Sequence, residues 1–422
     1  MPGRLNEGGS HVTETTAAFC LLCLLLMPCA LAGLAVINAG LGRSRNVAHS
    51  LLSTLCVAGV AALVYFAAGS AWQGYPGRQG AERFLLRGIE ADGSAYSLAV
   101  VFGMFAVSLA ATIPLGAAAE RWRLGASCAS TVLLAGLTYP LFAHWVWGGG
   151  WLAQLGVNHH LGRGLIDSGG ASSIQAVGGL TALAIAWILG PRLGKYQAEG
   201  MPAAFPAHDA ALVLFGCFLS WLGFLGLDCA GAILFTGVDA RGASIVPLNA
   251  TLASASALLA AAGVTRSRFG KADASLCANA WVAGLVASSA GCAVIRPAGA
   301  VLTGLVAGVL VVYAVEWIEL RFRVDDPGGA IAVHAFGGLW GVLAAGVFEA
   351  AGKRSAPDQW LSQVVGIATL IGFVLPAAYA SNRLLDRFLP QRVAPEGERQ
   401  GLDLYELGAG AYPDFMTHRD DY

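Results

Sequence analysis

Charge is scarce in this sequence. Lys, Arg, Asp and Glu make up 12% of 422 residues, about half the share of a water-soluble domain. With 25 basic and 26 acidic residues the chain cannot coat a soluble fold of this size. A formal net charge of −1 leaves no basic surface of the kind nucleic acid requires, and excludes that partner. Paired metal or disulfide motifs are also lacking. The nine cysteines (20, 23, 29, 56, 128, 217, 229, 277 and 292) include no CxxC with a matching partner. Most lie in apolar runs and read as small buried hydrophobes, so neither a metal nor a cofactor is expected. No nucleophile–base constellation marks an enzyme, and the adjacent His159 and His160 read as a solvated loop pair. What abounds is apolar: 56% hydrophobic residues, and 56 glycines without a collagen-like period. The mean hydropathy is +0.63. These features define a polytopic membrane protein whose helices pack closely in lipid.

A helix needs roughly 20 apolar residues to cross the hydrocarbon core. Stretches of 18 or more residues free of Asp, Glu, Lys and Arg fall at 15–42, 46–77, 93–119, 124–162, 168–191, 210–227, 242–265, 274–295, 297–315, 327–348 and 359–382. The fold class is therefore all-α with eleven transmembrane helices. The longest stretch turns polar and Gly-rich after Trp147 and reads as one helix plus a loop. Barrel strands would be about 10 residues long with alternating polarity, which is not seen. The transmembrane unit covers 1–382, and 383–422 form a tail too short for a separate domain.

Eleven spans put the termini on opposite sides. With the C-terminus inside, interior linkers and tail hold 16 Lys and Arg against 9 outside, out of 25. The positive-inside bias thus favours N-out, C-in, in a cell membrane. The first 14 residues carry one Arg and two Glu, a poor start for a cleaved signal, so the first stretch reads as a retained span.

One internal repeat locates a site. Asp167-Ser-Gly-Gly-Ala-Ser-Ser-Ile-Gln175-Ala-Val-Gly-Gly-Leu180 matches Asp326-Pro-Gly-Gly-Ala-Ile-Ala-Val-His334-Ala-Phe-Gly-Gly-Leu339 at eight of fourteen positions. The copies open spans five and ten. Five spans separate them, so they run in opposite directions: an inverted 5+5 repeat (about 15–195 and 208–350) plus an eleventh helix (about 359–382). Gln175 and His334 each lie eight residues into a span, or roughly 12 Å from opposite faces at 1.5 Å per residue. Half of a ~30 Å core is about 15 Å, so both side chains approach the midplane, where inverted repeats place substrate sites. Intramembrane polar residues are functional by default. A single one can be hydrogen-bonding glue, whereas two at repeat-equivalent positions point to a pathway. Asp167 and Asp326 read as structural helix caps accepting from free backbone N–H groups.

The sequence resembles the ammonium transporter family (Amt/Mep/Rh) along nearly its whole length. The matching segments are Pro28-Cys-Ala-Leu-Ala-Gly with Gly40-Leu-Gly-Arg-Ser-Arg-Asn46; Gly116-Ala-Ala-Ala-Glu-Arg121; Tyr139-Pro-Leu-Phe-Ala-His-Trp-Val-Trp-Gly-Gly-Gly150; Arg323-Val-Asp-Asp-Pro with Val333-His334 and Gly337-Gly-Leu-Trp-Gly341; and the tail Gly401-Leu-Asp-Leu-Tyr-Glu-Leu-Gly-Ala-Gly-Ala-Tyr412. The resemblance implies a homotrimer with one pore per subunit. In such a pore ammonium is recruited at an outer aromatic vestibule, passes two phenylalanines and meets paired histidines. By position, Trp147 matches the vestibule tryptophan, Phe224 one gate phenylalanine and His334 the second paired histidine. For the other gate, counting back from Glu120 lands on Ala106. Phe105 matches with one residue inserted, and Phe102 fits a neighbouring aromatic. The tail implies regulation of the pore or a PII-type nitrogen regulator as partner.

Two departures stand out. The first paired histidine is Gln175, and Asp228 falls where the family's outer-site serine is expected. A carboxylate there either strengthens cation recruitment or serves packing and capping. Burying a compact cation costs on the order of 20 kcal/mol in the idealised limit. Removing a proton from a Lys-like amine at pH 7 costs only roughly 4–5 kcal/mol, so deprotonation is the cheaper route. Cation–π contact with Trp147 suits the outer site. Paired imidazoles can relay the proton; an amide cannot titrate. Three readings follow: an ammonium transporter relying on His334, an ammonium sensor of the same fold with little flux, or a pore selective for neutral ammonia or another small molecule.

Overall fold

The structure, a computed structural model, describes residues 13–75, 80–89, 94–196, 201–349 and 358–412. The N-terminal residues 1–12, on which the expectation against a cleaved signal rests, the span ends at 76–77 and 93, and the tail beyond 412 lie outside the described residues. Among the described residues ten helices are long and apolar enough to cross a membrane: α1 (Glu14–Leu41), α2 (Ser44–Gln73), α3 (Ala95–Ala117), α4 (Leu124–Val146), α5 (Ala171–Leu189), α6 (Ala210–Thr236), α7 (Gly242–Phe269), α9 (Pro297–Leu320), α10 (Ile331–Phe348) and α11 (Gln359–Phe388). The eighth apolar stretch forms a shorter helix, α8 (Ala274–Ser289), of 16 residues. It stops short of the stretch because its last carbonyls are taken from outside: Gly169 N–H donates to Ser289 O at 2.8 Å and Ser168 N–H to Ala290 O at 2.9 Å. Among the described residues the β structure is limited to three isolated bridges.

The first helices of the two halves, α1 and α6, pack along each other, and α5 crosses α10 at the centre of the bundle. The repeated glycine pairs make that crossing possible. A Cβ on Gly179 would stand 2.2 Å from Ala335 N, and one on Gly338 would stand 2.8 Å from Ala171 O. Both crossing helices begin with a widened π turn, Ala171–Ala176 and Ile331–Phe336. Such turns lend a helix unusual side-chain directions and cluster at functional sites. The added helix α11 lays its first half on α10 and its second half on α5.

α11 overruns the boundary expected at 382 and ends at Phe388. Its last turns project Arg383 and Asp386 outward as an ion pair at 3.1 Å. Two short helices follow, α12 (Pro395–Gln400) and α13 (Leu402–Leu407). They dock on the start of α2: Asp403 accepts from the N–H groups of Ala48 at 3.2 Å and His49 at 2.7 Å. Glu406 accepts from His49 Nε2 at 2.8 Å and from Leu124 N–H at 3.0 Å. On the same face Asp325 receives Arg192 through Nε at 2.8 Å and Nη2 at 3.0 Å. Glu120 there binds Arg43 and, at 3.3 Å, Arg192. Burial pushes both carboxyls up, but the hydrogen bonds and charges of these arginines outweigh it and hold them below the usual carboxylate range.

Candidate substrate pathway

Each repeat helix opens on its aspartate. The Asp167 carboxylate accepts from the N–H groups of Gly170 at 3.0 Å, Ser172 at 3.2 Å and Ser173 at 2.9 Å. Asp326 accepts from Ala330 at 2.9 Å and Ile331 at 2.8 Å. Fixing the two starts fixes what lies one turn and more beyond them. Gln175 and His334, 0% and 3% exposed, meet where α5 and α10 cross, with His334 Nδ1 2.8 Å from Gln175 Oε1. An amide oxygen only accepts, so Nδ1 carries the hydrogen and His334 Nε2 keeps its lone pair. Gln175 Nε2 has no hydrogen-bond partner. The pair therefore presents one free acceptor and one free donor, both uncharged.

Toward the face opposite the tail stands an aromatic trio. Trp147 stacks on Phe235 with ring centroids 4.5 Å apart and planes 6° apart. Phe102 meets Trp147 edge-on at 5.5 Å and Phe235 at 5.1 Å. The Trp147 indole N–H donates to Asp167 O at 2.7 Å, tying the trio to the start of α5. Phe105 is elsewhere: with Leu31, Leu51, Leu55 and Met104 it lines an apolar groove of about 550 Å³. A step of three residues rotates a side chain by about 60° around α3, enough to aim Phe105 into that groove, so Phe102 is the phenylalanine beside Trp147.

Phe224 and Asp228 lie on α6, both fully buried. Phe235 shares their helical face, since steps of four and seven residues return to nearly the same direction. Sequence reading passed over Phe235, although that spacing is visible in the chain. His159 and His160 are exposed, and the described residues hold no group of three potential metal ligands.

Below His334, toward the tail, a cavity of about 20 Å³ is lined by Leu34, Asn38, Asn279, Val333 and His334 among others. A second, of about 30 Å³, is lined by Asn38, Arg43, Asn46, His49 and Glu120 among others. Each has room for one or two water-sized molecules.

Residues 18–412 match the model of the Ammonium Transporter Family. Among curated proteins, "Ammonium transporter Amt2" of Archaeoglobus fulgidus is 36% identical over 94% of this chain and 88% of its own length. The "Ammonium transporter" of Bacillus subtilis is 29% identical over 94% and 98%. Among solved structures, one titled "Sensor Amt Protein" superposes with a TM-score of 0.85 at 29% identity, over 93% of this chain and 98% of that one. Candida albicans Mep2 superposes at 0.81 with 21% identity over 97% and 93%, which speaks to the fold alone. The curated relatives are named as ammonium transporters, not enzymes. By the extent of the family match and of its relatives, this chain belongs to the ammonium transporter family.

Proposed function

We propose that this protein moves ammonium nitrogen across a cell membrane, N-terminus outside and tail in the cytoplasm, as a homotrimer with a pore in each subunit. The observation that carries the reading is the buried contact between Gln175 and His334 at 2.8 Å. Uncharged hydrogen-bonding groups in the middle of an apolar bundle suit a small polar molecule and offer a bare cation nothing to offset dehydration. Trp147 and Phe102 guard the outer approach, Phe224 separates it from the centre, and Asp228 attracts the cation. Exposed large apolar side chains such as Leu22, Phe218 and Leu259 supply faces for lipid and neighbouring subunits. Growth tests transport directly. Expression in cells stripped of their own ammonium uptake should restore growth on limiting ammonium. Failure of a correctly inserted trimer, verified by light scattering of the purified protein, would refute it.

A second reading has its own support. The likeness to the "Sensor Amt Protein" at a TM-score of 0.85 favours a receptor that binds ammonium and signals through the tail. In that case ammonium should change the protease sensitivity of the tail while wild-type protein supports no uptake.

A further inference from the structure

Six acids are buried among the described residues: Glu120, Asp167, Asp228, Asp325, Glu398 and Asp403. Five are held by arginines, hydroxyls or backbone N–H groups. Asp228 is the exception. It is fully buried, and neither carboxylate oxygen has a hydrogen-bond partner. The one hydroxyl within reach of its carboxylate, that of Ser289, donates to Leu285 O at 3.0 Å. A buried carboxylate without donor or counter-ion is unfavourable until a cation or a proton joins it.

The repeat gives Asp228 a counterpart. Gly169 N–H donates to Ser289 O at 2.8 Å in one half, and Gly328 N–H donates to Gly116 O at 3.0 Å in the other. Against the first junction lies Asp228, whose Oδ1 would stand 2.1 Å from a Cβ on Gly169. Against the second lies Asn38, whose Oδ1 would stand 2.8 Å from a Cβ on Gly328. Asp228 follows Phe224 by one turn of α6, and Asn38 follows Leu34 by one turn of α1. Asn38 also borders both small cavities on the tail side, the one at His334 and the one at Glu120.

We infer that Asp228 and Asn38 are paired stations on one path: Asp228 binds ammonium and takes its proton, and Asn38 receives the neutral ammonia. This rests on the transport reading above and adds where the proton goes. A carboxylate oxygen of Asp228 forms an O–H bond as one N–H bond of ammonium breaks, and the bonding electrons stay on nitrogen as its lone pair. Ammonia then passes Phe224, accepts from Gln175 Nε2 and donates to His334 Nε2, and reaches the Asn38 amide, which can donate and accept but does not titrate. The proton returns from Asp228 to water on the aromatic side, so no charge crosses.

Proteoliposomes holding a pH-sensitive dye, current recording on supported membranes, and thermal unfolding with ammonium chloride against sodium chloride test this together. In wild type, an ammonium pulse should alkalinise the lumen without sustained current, and ammonium should raise the melting temperature. Asp228→Asn should melt no lower than wild type without ammonium, lose the ammonium-dependent rise, and lose at least tenfold in uptake. Asp228→Glu should recover part of both. Asp228→Ala serves as the second variant, with the same expected losses, should the amide fail to fold. Asn38→Asp should keep the ammonium-dependent rise while uptake falls severalfold. Unchanged ammonium stabilisation in Asp228→Asn, or a sustained wild-type current proportional to uptake, would overturn the inference and leave transport standing. Ammonium stabilisation that depends on Asp228, in a wild type without uptake, would uphold the binding station and overturn transport.

Discussion

Replacing Gln175 with leucine should separate what the central pair does for folding from what it does for passage. Gln175 is fully buried and its Oε1 is the acceptor for His334 Nδ1–H at 2.8 Å. Leucine has nearly the same volume, so little cavity forms, but the imidazole N–H is left buried without an acceptor. That omission costs about 1–3 kcal/mol, enough to lower the melting temperature of the detergent-solubilised protein by a few degrees. Histidine at the same position can still accept from Nδ1–H, so Gln175→His should melt close to wild type. It would also put two titratable rings in contact where wild type has one ring and one amide, and a proton could then cross between them. The paired outcome is therefore specific: leucine destabilises and gives no current, while histidine holds stability and raises ammonium-driven current. If Gln175→Leu melts with wild type, the hydrogen bond contributes nothing. If Gln175→His leaves the current unchanged or lower, position 175 is no part of a relay.

Three further outcomes follow from other parts of the molecule. Asp403→Ala removes an N-cap from α2 worth about 1–2 kcal/mol, so the tail should detach more often and proteolysis between Val393 and Leu407 should accelerate severalfold in bilayer nanodiscs. The depressed carboxyls of Asp325 and Glu120 take up protons less readily folded than unfolded. Their contribution is thus complete above the ordinary carboxylate range and lost as pH falls through the folded values. Melting should be insensitive to these groups above about pH 5 and should drop below about pH 4; a flat acid limb would contradict this. Phe235→Ala deletes two ring contacts worth about 0.5–1.5 kcal/mol each beyond area, so it should lower the melting temperature while Phe105→Ala leaves the aromatic trio's contribution intact.

The sequence made some of this legible because membranes leave few choices. Hydrocarbon forces long apolar helices, so the spans could be counted without any packing information, and α8 was miscounted only at an end where neighbouring backbone takes over its carbonyls. The Asp-x-Gly-Gly repeat carried the central pair, since equal distance from two capped starts brings Gln175 and His334 to one depth. Side-chain direction was harder. Phe102 and Phe105 differ by three residues, and choosing between them needs the rotation of α3 against α4 and α6. Phe235 went unread because stacking on Trp147 joins residues 88 positions apart. Asp228 was placed on the pathway, yet its lack of any partner depends on the backbone of Gly169 and on Ser289, both distant in the chain.

An inverted repeat gives the two halves of a path nearly the same backbone, so whatever distinguishes one side from the other must be written in side chains at paired positions. Here the pairs differ in chemical kind. Asp228 faces Gly169 where Asn38 faces Gly328, and Phe224 stands one turn before the acid where Leu34 stands one turn before the amide. A carboxylate stabilises a cation and can take its proton, whereas an amide serves only a neutral guest. Between them the Gln175–His334 pair is also uncharged with its hydrogen placed on Nδ1. Exchanging the stations, Asp228→Asn with Asn38→Asp, should then move the ammonium-binding side from the aromatic face to the tail face. Oriented vesicles with ammonium added on one side at a time would show this as hydrogen-exchange protection that moves from α6 amides near residue 228, on addition at the aromatic face, to α1 amides near residue 38, on addition at the tail face. Protection that stays with the aromatic face in the exchanged variant would mean that Asp228 is not what distinguishes the two sides.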